Sequence, residues 1–536
     1  MGDPSTQVSE LTLKTLNSPE HSGNGRIRNL GLPKRVSVWR FSQRDTAIRL
    51  FLTCWLVFTL HFATNTVREI FPVLTLGDHL SFDVSEYNGL HTDTFELPDR
   101  GSFINNNPGA SIIGAVPYTL FRPITDRIVE RVQRSRAGNP QAESQQYDSI
   151  YPMAREFYRS AREKGFDIKF GLAAGITQTF AMAPISALGV VVMFWIFLAL
   201  TDSSRTSVIL SLVYAFATPI FLRTAQLNQN ALLASFALFA FALLWRPLKK
   251  GNLGSKPFYF LAGLCAGWTV VLDYSGLVAV ATLSLYALSR WLSEPRDERR
   301  YGDLVRYASG VAICALVLMA YQWNSFGHPF LPAQSYMPPA NYTELGYKGF
   351  SLPRFDLLAE TAFNIRYGLF TSAPILLLAL IVPVWLRTNS SLLERREMVF
   401  VVSFVFLFFA FCAANQYGRM QFYLGVRHIV PVVPFMFLLA ANVLLQMPRM
   451  LAVLFGALAT YWSWCLVMYR DVEFGLGILD AVKNVTLEGF RLPWLLTLDR
   501  MGYVQNSTAI PLMILCAAAI WILWSVGRRQ EADVPN

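Results

Sequence analysis

The chain has 536 residues, 53% hydrophobic and 14% aromatic against 15% charged, with a mean hydropathy of +0.35. A soluble protein of this length carries about a quarter charged residues. Here the apolar residues gather in runs of about 20, enough to cross a hydrocarbon core of about 30 Å, which excludes a soluble enzyme and predicts an all-α polytopic membrane protein. The net charge of +10 lies in short segments between the runs, the signature of the positive-inside rule rather than of nucleic-acid binding.

In chain order, residues 1–45 are polar and carry Arg26, Arg28, Lys34, Arg35 and Arg40. They lack the apolar core and small-residue cleavage site of a signal peptide, so a disordered cytoplasmic tail is expected. Twelve spans follow, at about 47–66, 172–200, 206–222, 229–246, 257–272, 275–291, 305–322, 366–386, 398–414, 427–446, 450–468 and 509–527. They make one transmembrane domain over 46–528, and 529–536 forms a second cytoplasmic tail. An even count puts both termini on one side. The short connections Arg246–Lys256, Arg290–Arg306 and Arg387–Arg396 are rich in Lys and Arg, which places them and both termini in the cytoplasm. All six cysteines fall within apolar runs and read as packing residues.

This topology puts 67–171, 323–365 and 469–508 outside. The first of these loops holds two amphipathic stretches. One has Ile124, Ile128 and Val132 at i, i+4 spacing among Arg127, Arg131 and Arg134; the other has Met153, Phe157 and Ala161 beside Arg155, Arg159, Arg162 and Lys164. Such helices lie in a membrane interface or form solvated loop helices. Sequons at Asn341, Asn484 and Asn506 face outward, but Asn389 starts another on the inner side.

Unusual polar residues collect at the outer ends of the spans. They are Arg68, Glu69, Asp78, His79, Glu86, His91, Asp93 and Asn105–Asn107 in the first loop, then Arg223, Gln226 and Asn228–Asn230. Asp273 and Tyr274 interrupt an apolar run; His328, Tyr417, Arg419, Arg427 and His428 complete the set. Ionisable groups at membrane depth cost roughly 2.5–3.5 kcal/mol each by insertion scales, so they line cavities or pair. Asp273 reads either as such a group or as a loop acid between two spans.

Phe103–Tyr118 reads FINNNPGASIIGAVPY and resembles the PPG-x-S-L-L-x-x-P-x-Y segment of GT-C membrane glycosyltransferases. This superfamily includes the protein mannosyltransferases and aminoarabinose transferases (family 39). Thr218–Asn230, Asn324–Phe330 and Gly425–Phe435 (GVRHIVPVVPF) resemble further landmarks in the same order. The resemblance implies a GT-C fold and an inverting transferase that uses a polyprenyl-phosphate-linked sugar donor, with an acid early in the first outer loop as general base. Asn-Asn-Asn replaces the usual Lys/Tyr-Pro-Pro, and Asn65 stands where many relatives carry an acid.

Within that expectation Glu69 is the first choice for the base and Asp78 the second; Glu69 reads equally as the ion-pair partner of Arg68, and Asp93 and Glu96 as loop-ordering acids. Arg427, His428 and Arg223 are expected at the leaving phosphate, because guanidinium forks match phosphate oxygens, or as interfacial span-end cations. Asn105, Asn106, Asn107, Asp273, Asn228 and Tyr417 are expected at the sugar or acceptor, with a turn at Pro108-Gly109 as the other reading of the asparagines. No histidine spacing matches a metal-ligand set, so no cofactor is expected, although a divalent metal stays possible among the outward histidines and acids. The expected partners are the lipid-linked donor, a glycan, lipid or protein acceptor, and the lipids of a plasma membrane, with the active site extracytoplasmic. A twelve-span secondary transporter and a lipid-linked glycan ligase are the alternatives.

Overall fold

A computed structural model describes residues 41–64, 66–138, 147, 152–245, 258–338, 346–419, 425–470, 477–505 and 508–526. The tail at 1–40, the basic connection 246–257, Asn65, Asn341, Asn506, the side chains of Met153 and Arg419, and the C-terminal tail lie outside them.

The protein is mostly helical. The first half comprises α1 (Gln43–Leu60), α2 (Ile70–His79), α3 (Gly109–Ala137), α4 (Pro152–Glu163), α5 (Asp167–Thr177), α6 (Ala183–Thr201), α7 (Ser204–Phe216), α8 (Pro219–Thr224), α9 (Gln229–Trp245), α10 (Tyr259–Leu272) and α11 (Gly276–Leu292). There follow α12 (Tyr301–Phe326), α13 (Phe355–Phe363), α14 (Leu369–Ser372), α15 (Val382–Trp385), α16 (Arg395–Ala414), α17 (Val433–Gln446), α18 (Arg449–Met468), α19 (Ile478–Glu488), α20 (Pro493–Arg500) and α21 (Ile510–Ser525). Four helices among the described residues are long and apolar enough to cross a membrane: Asp167–Thr201, which joins α5 and α6, then α12, α16 and α18. Six more apolar helices run 10–17 residues. At 1.5 Å per residue these are shorter than a full hydrocarbon core.

The long α5–α6 helix contains one π turn at Gln178–Met182. Such a turn frees a side chain from the regular ladder and is common where helices serve a site. Gln178, fully buried, uses it to donate to the carbonyls of Phe58 at 2.8 Å and Thr224 at 3.1 Å, tying the C-terminal ends of α1 and α8 together.

The expected span at 366–386 is broken into α14, a 3-10 turn at Pro374–Ala379 and α15. Pro374 and Pro383 supply no N–H, so a regular ladder does not pass through them. In the first loop the amphipathic stretches are helical: Ile124 and Ile128 lie on the last four turns of α3 and are solvent-facing at 54% and 39% exposure. That loop also holds an antiparallel hairpin, β1 (Thr94–Leu97) and β2 (Gly101–Ile104), with Thr94 opposite Ile104.

Helix α10 packs against α9, α11 and α12. Gly263 and Gly267 form a G-x-x-x-G face on it, and a β-carbon on Gly263 would fall 2.1 Å from the Tyr307 carbonyl of α12. Small residues at four-residue spacing let backbones approach this closely, which is how apolar helices associate without a hydrophobic drive between them. The bundle interior is aromatic, with Phe241 stacked on Phe400 at 4.9 Å and Phe404 against Phe435 at 4.3 Å.

Candidate functional site

Glu69 is the residue immediately before α2, and its side chain is 5% exposed. Its neighbour Arg68 is shared: Nε lies 3.7 Å from Glu69 Oε1, and Nη1 lies 3.0 Å from Asp93 Oδ2. The hairpin explains why Asp93 is there. Asp93 directly precedes β1 and Asn105 directly follows β2, and the paired strands bring them together so that Asn105 N–H donates to the Asp93 carbonyl at 3.3 Å.

The same segment then turns through Pro108 into α3. Ser111, on its first turn, donates to the Glu69 carbonyl at 2.9 Å. Asn107 Nδ2 donates to the Val270 carbonyl at 2.7 Å. Only glycine fits at 109, because a β-carbon there would sit 2.7 Å from the Val271 carbonyl. The FINNNPGAS stretch thus clamps α2, α3 and the end of α10 into one corner.

Asp273 ends α10 in an extended conformation. Its Oδ2 accepts from Gln229 Nε2 at 2.7 Å, and its Oδ1 from Ser275 N–H at 2.8 Å. Arg427 joins from the segment before α17. It lies in electrostatic range of Arg68, Glu69, Asp93 and Asp273. Burial and the nearby Arg68 lower the Arg427 guanidinium from its ordinary value, and the three carboxylates oppose that shift. For Arg68 the balance falls the other way: burial lowers it, but Glu69 and Asp93 more than compensate, so its proton is held more tightly. Burial alone would raise Asp93, yet Arg68, His91 and Arg427 bring it below the usual carboxylate range.

Both histidines of this cluster are neutral imidazoles at neutral pH. Burial beside Arg68 and Arg427 brings His91 down to about 4, although Asp93 opposes the shift. Its Nδ1 accepts from Asp93 N–H at 3.0 Å, which leaves the proton on Nε2. His428 is lowered well below its ordinary value by burial and by Arg427, Arg68 and Arg223. It can offer a neutral hydrogen bond to an anion, not a counter-charge.

The structure therefore brings Glu69, Asp273, Arg427, His428 and the Asn105–Asn107 segment together, joined by Arg68, His91 and Asp93. Arg427, His428, Asn415, Thr361 and Tyr367 line a small, partly open cleft. Tyr417 is half-buried beside it, and its N–H donates to Asn415 Oδ1 at 3.0 Å. Asn228 stands at the head of α9, where its Oδ1 accepts from Ala231 N–H at 3.0 Å.

Two expected residues sit differently. Arg223 is 2% exposed and spends its guanidinium on backbone: Nε on the Val426 carbonyl at 2.5 Å and Nη2 on the Gly425 carbonyl at 2.6 Å. It braces the segment that carries Arg427 and His428. Asp78 lies at the opposite end of α2 from Glu69, about 13 Å of helix away. Lys169 Nζ is 2.6 Å from its Oδ2, Arg122 Nε is 3.2 Å from its Oδ1, and the Tyr118 hydroxyl donates to it at 3.2 Å.

Asp78, His79 and Glu86 each place a ligand atom within 4.8 Å of the others, a grouping that could hold a metal ion. Lys169 and Arg122 already neutralise Asp78 there, so a dication would have to displace a cation. His328 is exposed, with Nδ1 accepting from Phe330 N–H at 3.2 Å.

Residues that sequence reasoning passed over include Tyr367 and Asn415, and it read Asp93 only as a loop-ordering acid. Asn415 carried a usable signal, since with Gln416 it closes an apolar run just as Asp273 does. Tyr367 carried none. Comparison with protein-family models, curated proteins and solved structures finds no match for this chain.

Proposed function

We propose that this protein is a GT-C-type membrane glycosyltransferase, with twelve spans and both termini cytoplasmic. It moves a sugar from a polyprenyl-phosphate donor to an acceptor on the extracytoplasmic side of a plasma membrane, with inversion. The observation that carries this reading is the meeting of Glu69, Arg68, Asp93, Asp273 and Arg427, drawn from three distant stretches of an apolar chain, in one partly buried cluster beside an open cleft.

In the proposed step the Glu69 carboxylate takes the proton of an acceptor hydroxyl. The acceptor oxygen forms a bond to the anomeric carbon from the face opposite the phosphate. The bond from that carbon to the phosphate oxygen breaks, its electron pair stays on the oxygen, and polyprenyl phosphate leaves. Arg427 supplies positive charge where the phosphate's negative charge grows, the kind of preorganised stabilisation that dominates many enzymes. His428 adds a neutral donor, and Arg223 holds the segment that bears both. Asp93 keeps Arg68 from closing fully on Glu69. The step needs no cofactor and no nucleic-acid partner. The exposed apolar residues of α3 (Leu120, Ile124 and Ile128) and the exposed arginines of α4 (Arg155 and Arg159), whose own apolar residues Phe157 and Ala161 face the core, would rest in the interface and leave lateral access for the prenyl chain.

The test is reconstitution in lipid vesicles with radiolabelled polyprenyl-phosphate sugars and crude envelope acceptor, scoring label transferred. Wild-type protein should transfer label, and Glu69→Gln should not. Absence of transfer from every donor, together with proton- or sodium-driven uptake of a solute, would establish the transporter reading in its place.

A further inference from the structure

Helix α3 carries one exposed stripe whose character changes along its length. Val116, Leu120 and Ile124 follow each other at i, i+4 spacing, 62%, 74% and 54% exposed. Three and four residues on, the same stripe continues as Arg127, Arg131 and Arg134, all exposed. Residues at these spacings lie above one another on a helix face. The stripe therefore runs from about 12 Å of bare hydrocarbon into about 10 Å of guanidinium groups. Arg134 pairs with Glu130 at 3.0 Å in an exposed contact, and Arg127 and Arg131 have no partner among the described residues.

Two contacts fix the level of this stripe. Arg136 forks onto Asp167, Nη1 to Oδ1 at 2.9 Å and Nη2 to Oδ2 at 2.6 Å, and Phe121 stacks on Phe180 at 4.7 Å. The higher-numbered residue of α3 meets the lower-numbered residue of the long α5–α6 helix, so the two run antiparallel. That long helix is one of the candidate membrane spans. Its polar start, Asp167 to Lys169, thus stands beside the arginine half of the stripe, and its apolar stretch around Phe180 beside the apolar half. Both helices pass from polar to apolar at the same height, which is where acyl chains give way to head groups.

We propose that this stripe of α3 binds an anionic phospholipid of the surrounding bilayer. An acyl chain lies along Val116, Leu120 and Ile124, and the phosphodiester sits among Arg127, Arg131 and Arg134. Guanidinium forks match phosphate oxygens, and a choline or ethanolamine cation would meet the same arginines with the wrong sign. A soluble anion would leave the apolar half bare. A second copy of the chain would set guanidinium groups against arginines or against hydrocarbon, and neither neutralises them. The inference concerns a surface apart from the Glu69–Arg427 cluster and stands whether or not the transferase reading does.

The test places a fluorophore on Ser135→Cys, an exposed residue beside Arg134, in the full-length protein in phosphatidylcholine nanodiscs. The discs carry a few mole per cent of spin-labelled phosphatidylglycerol or of phosphatidylcholine with the same label. Protein without Ser135→Cys gives the background from native cysteines. Quenching by the phosphatidylglycerol should exceed that by the phosphatidylcholine about fivefold, the preference that one cation gains near an anionic lipid surface. Arg127→Gln with Arg131→Gln should bring the ratio close to one with an unchanged unfolding temperature, since both side chains are exposed. If the double variant does not fold, Arg131→Gln alone should halve the ratio. Equal quenching by the two lipids, quenching by neither, or an unchanged ratio in a folded variant overturns the site. A preference abolished by a few mole per cent of polyprenyl phosphate also overturns it, because the stripe would then be a donor entrance.

Discussion

Arg223 reaches across 202 residues of sequence to donate a hydrogen bond to the Gly425 carbonyl at 2.6 Å, with a second bond to Val426. These two carbonyls immediately precede Arg427 and His428. A buried arginine that bonds backbone acts on the site through the geometry of that segment, so its replacement should read differently from the loss of a phosphate ligand.

Arg223→Lys is the discriminating change. Lysine keeps the charge but has no planar fork to meet two carbonyls at once. Donor binding should weaken by about tenfold, roughly one lost hydrogen bond to a charged group, and thermal unfolding should move to lower temperature with it. A phosphate ligand would lose affinity with no change in unfolding temperature.

Glu69 and Asp78 separate by the kind of damage they cause. Glu69→Gln should lower turnover by about 10²–10⁴-fold, the usual contribution of a positioned base, with a smaller loss of stability than at Asp78, because Arg68 keeps Asp93 at 3.0 Å. Asp78→Ala leaves Lys169 without its partner at a site where the carboxylate is 5% exposed. It should cost about 3 kcal/mol of stability, while the folded fraction keeps its turnover. Full activity in Glu69→Gln would remove Glu69 as the base.

Gly109→Ala tests the corner itself. The added methyl carbon would stand 2.7 Å from the Val271 carbonyl, so α3 must shift away from α10 and take Ser111 and Asn107 with it. Overpacking of this kind costs about 1–3 kcal/mol. Lower yield and faster proteolysis in detergent should accompany any loss of activity.

His91 predicts a pH effect. Its imidazole is brought down to about 4 in the fold by burial and by Arg68 and Arg427, against the pull of Asp93, whereas the unfolded chain has it near 6.5. Between those values the unfolded state binds more protons, so stability rises with pH through the window and falls as pH drops through it. His91→Gln removes the titration and should flatten the slope of unfolding temperature against pH between about 4 and 6.5. His428 contributes in the same direction, so the slope should shrink rather than vanish; an identical slope in wild type and variant would contradict the assignment.

What the linear sequence carried was a solvent preference. Runs of apolar residues of helical length, basic connections, and polar residues stranded at the ends of runs are local properties, and they were legible at Asp273, Asn228 and Arg427. The breaks at Pro374 and Pro383 were local as well, but a hydropathy window averages over a missing N–H and so joins α14 and α15 into one span. The helicity of the two amphipathic stretches could also be read, because their periodicity repeats within one helix.

The tertiary structure alone decided which polar groups meet. Neighbouring antiparallel helices bring the C-terminal end of one beside the N-terminal end of the next, so breaks hundreds of residues apart gather at one end of the bundle. Glu69 and Asp78 are nine positions apart and look alike as letters; a rigid helix puts one in the arginine cluster and the other against Lys169. Arg223 and Arg427 look alike too, and the difference between an arginine that braces backbone and one that lies among carboxylates is only which groups surround each. Those surroundings come from the packing of distant segments, which no stretch of sequence contains.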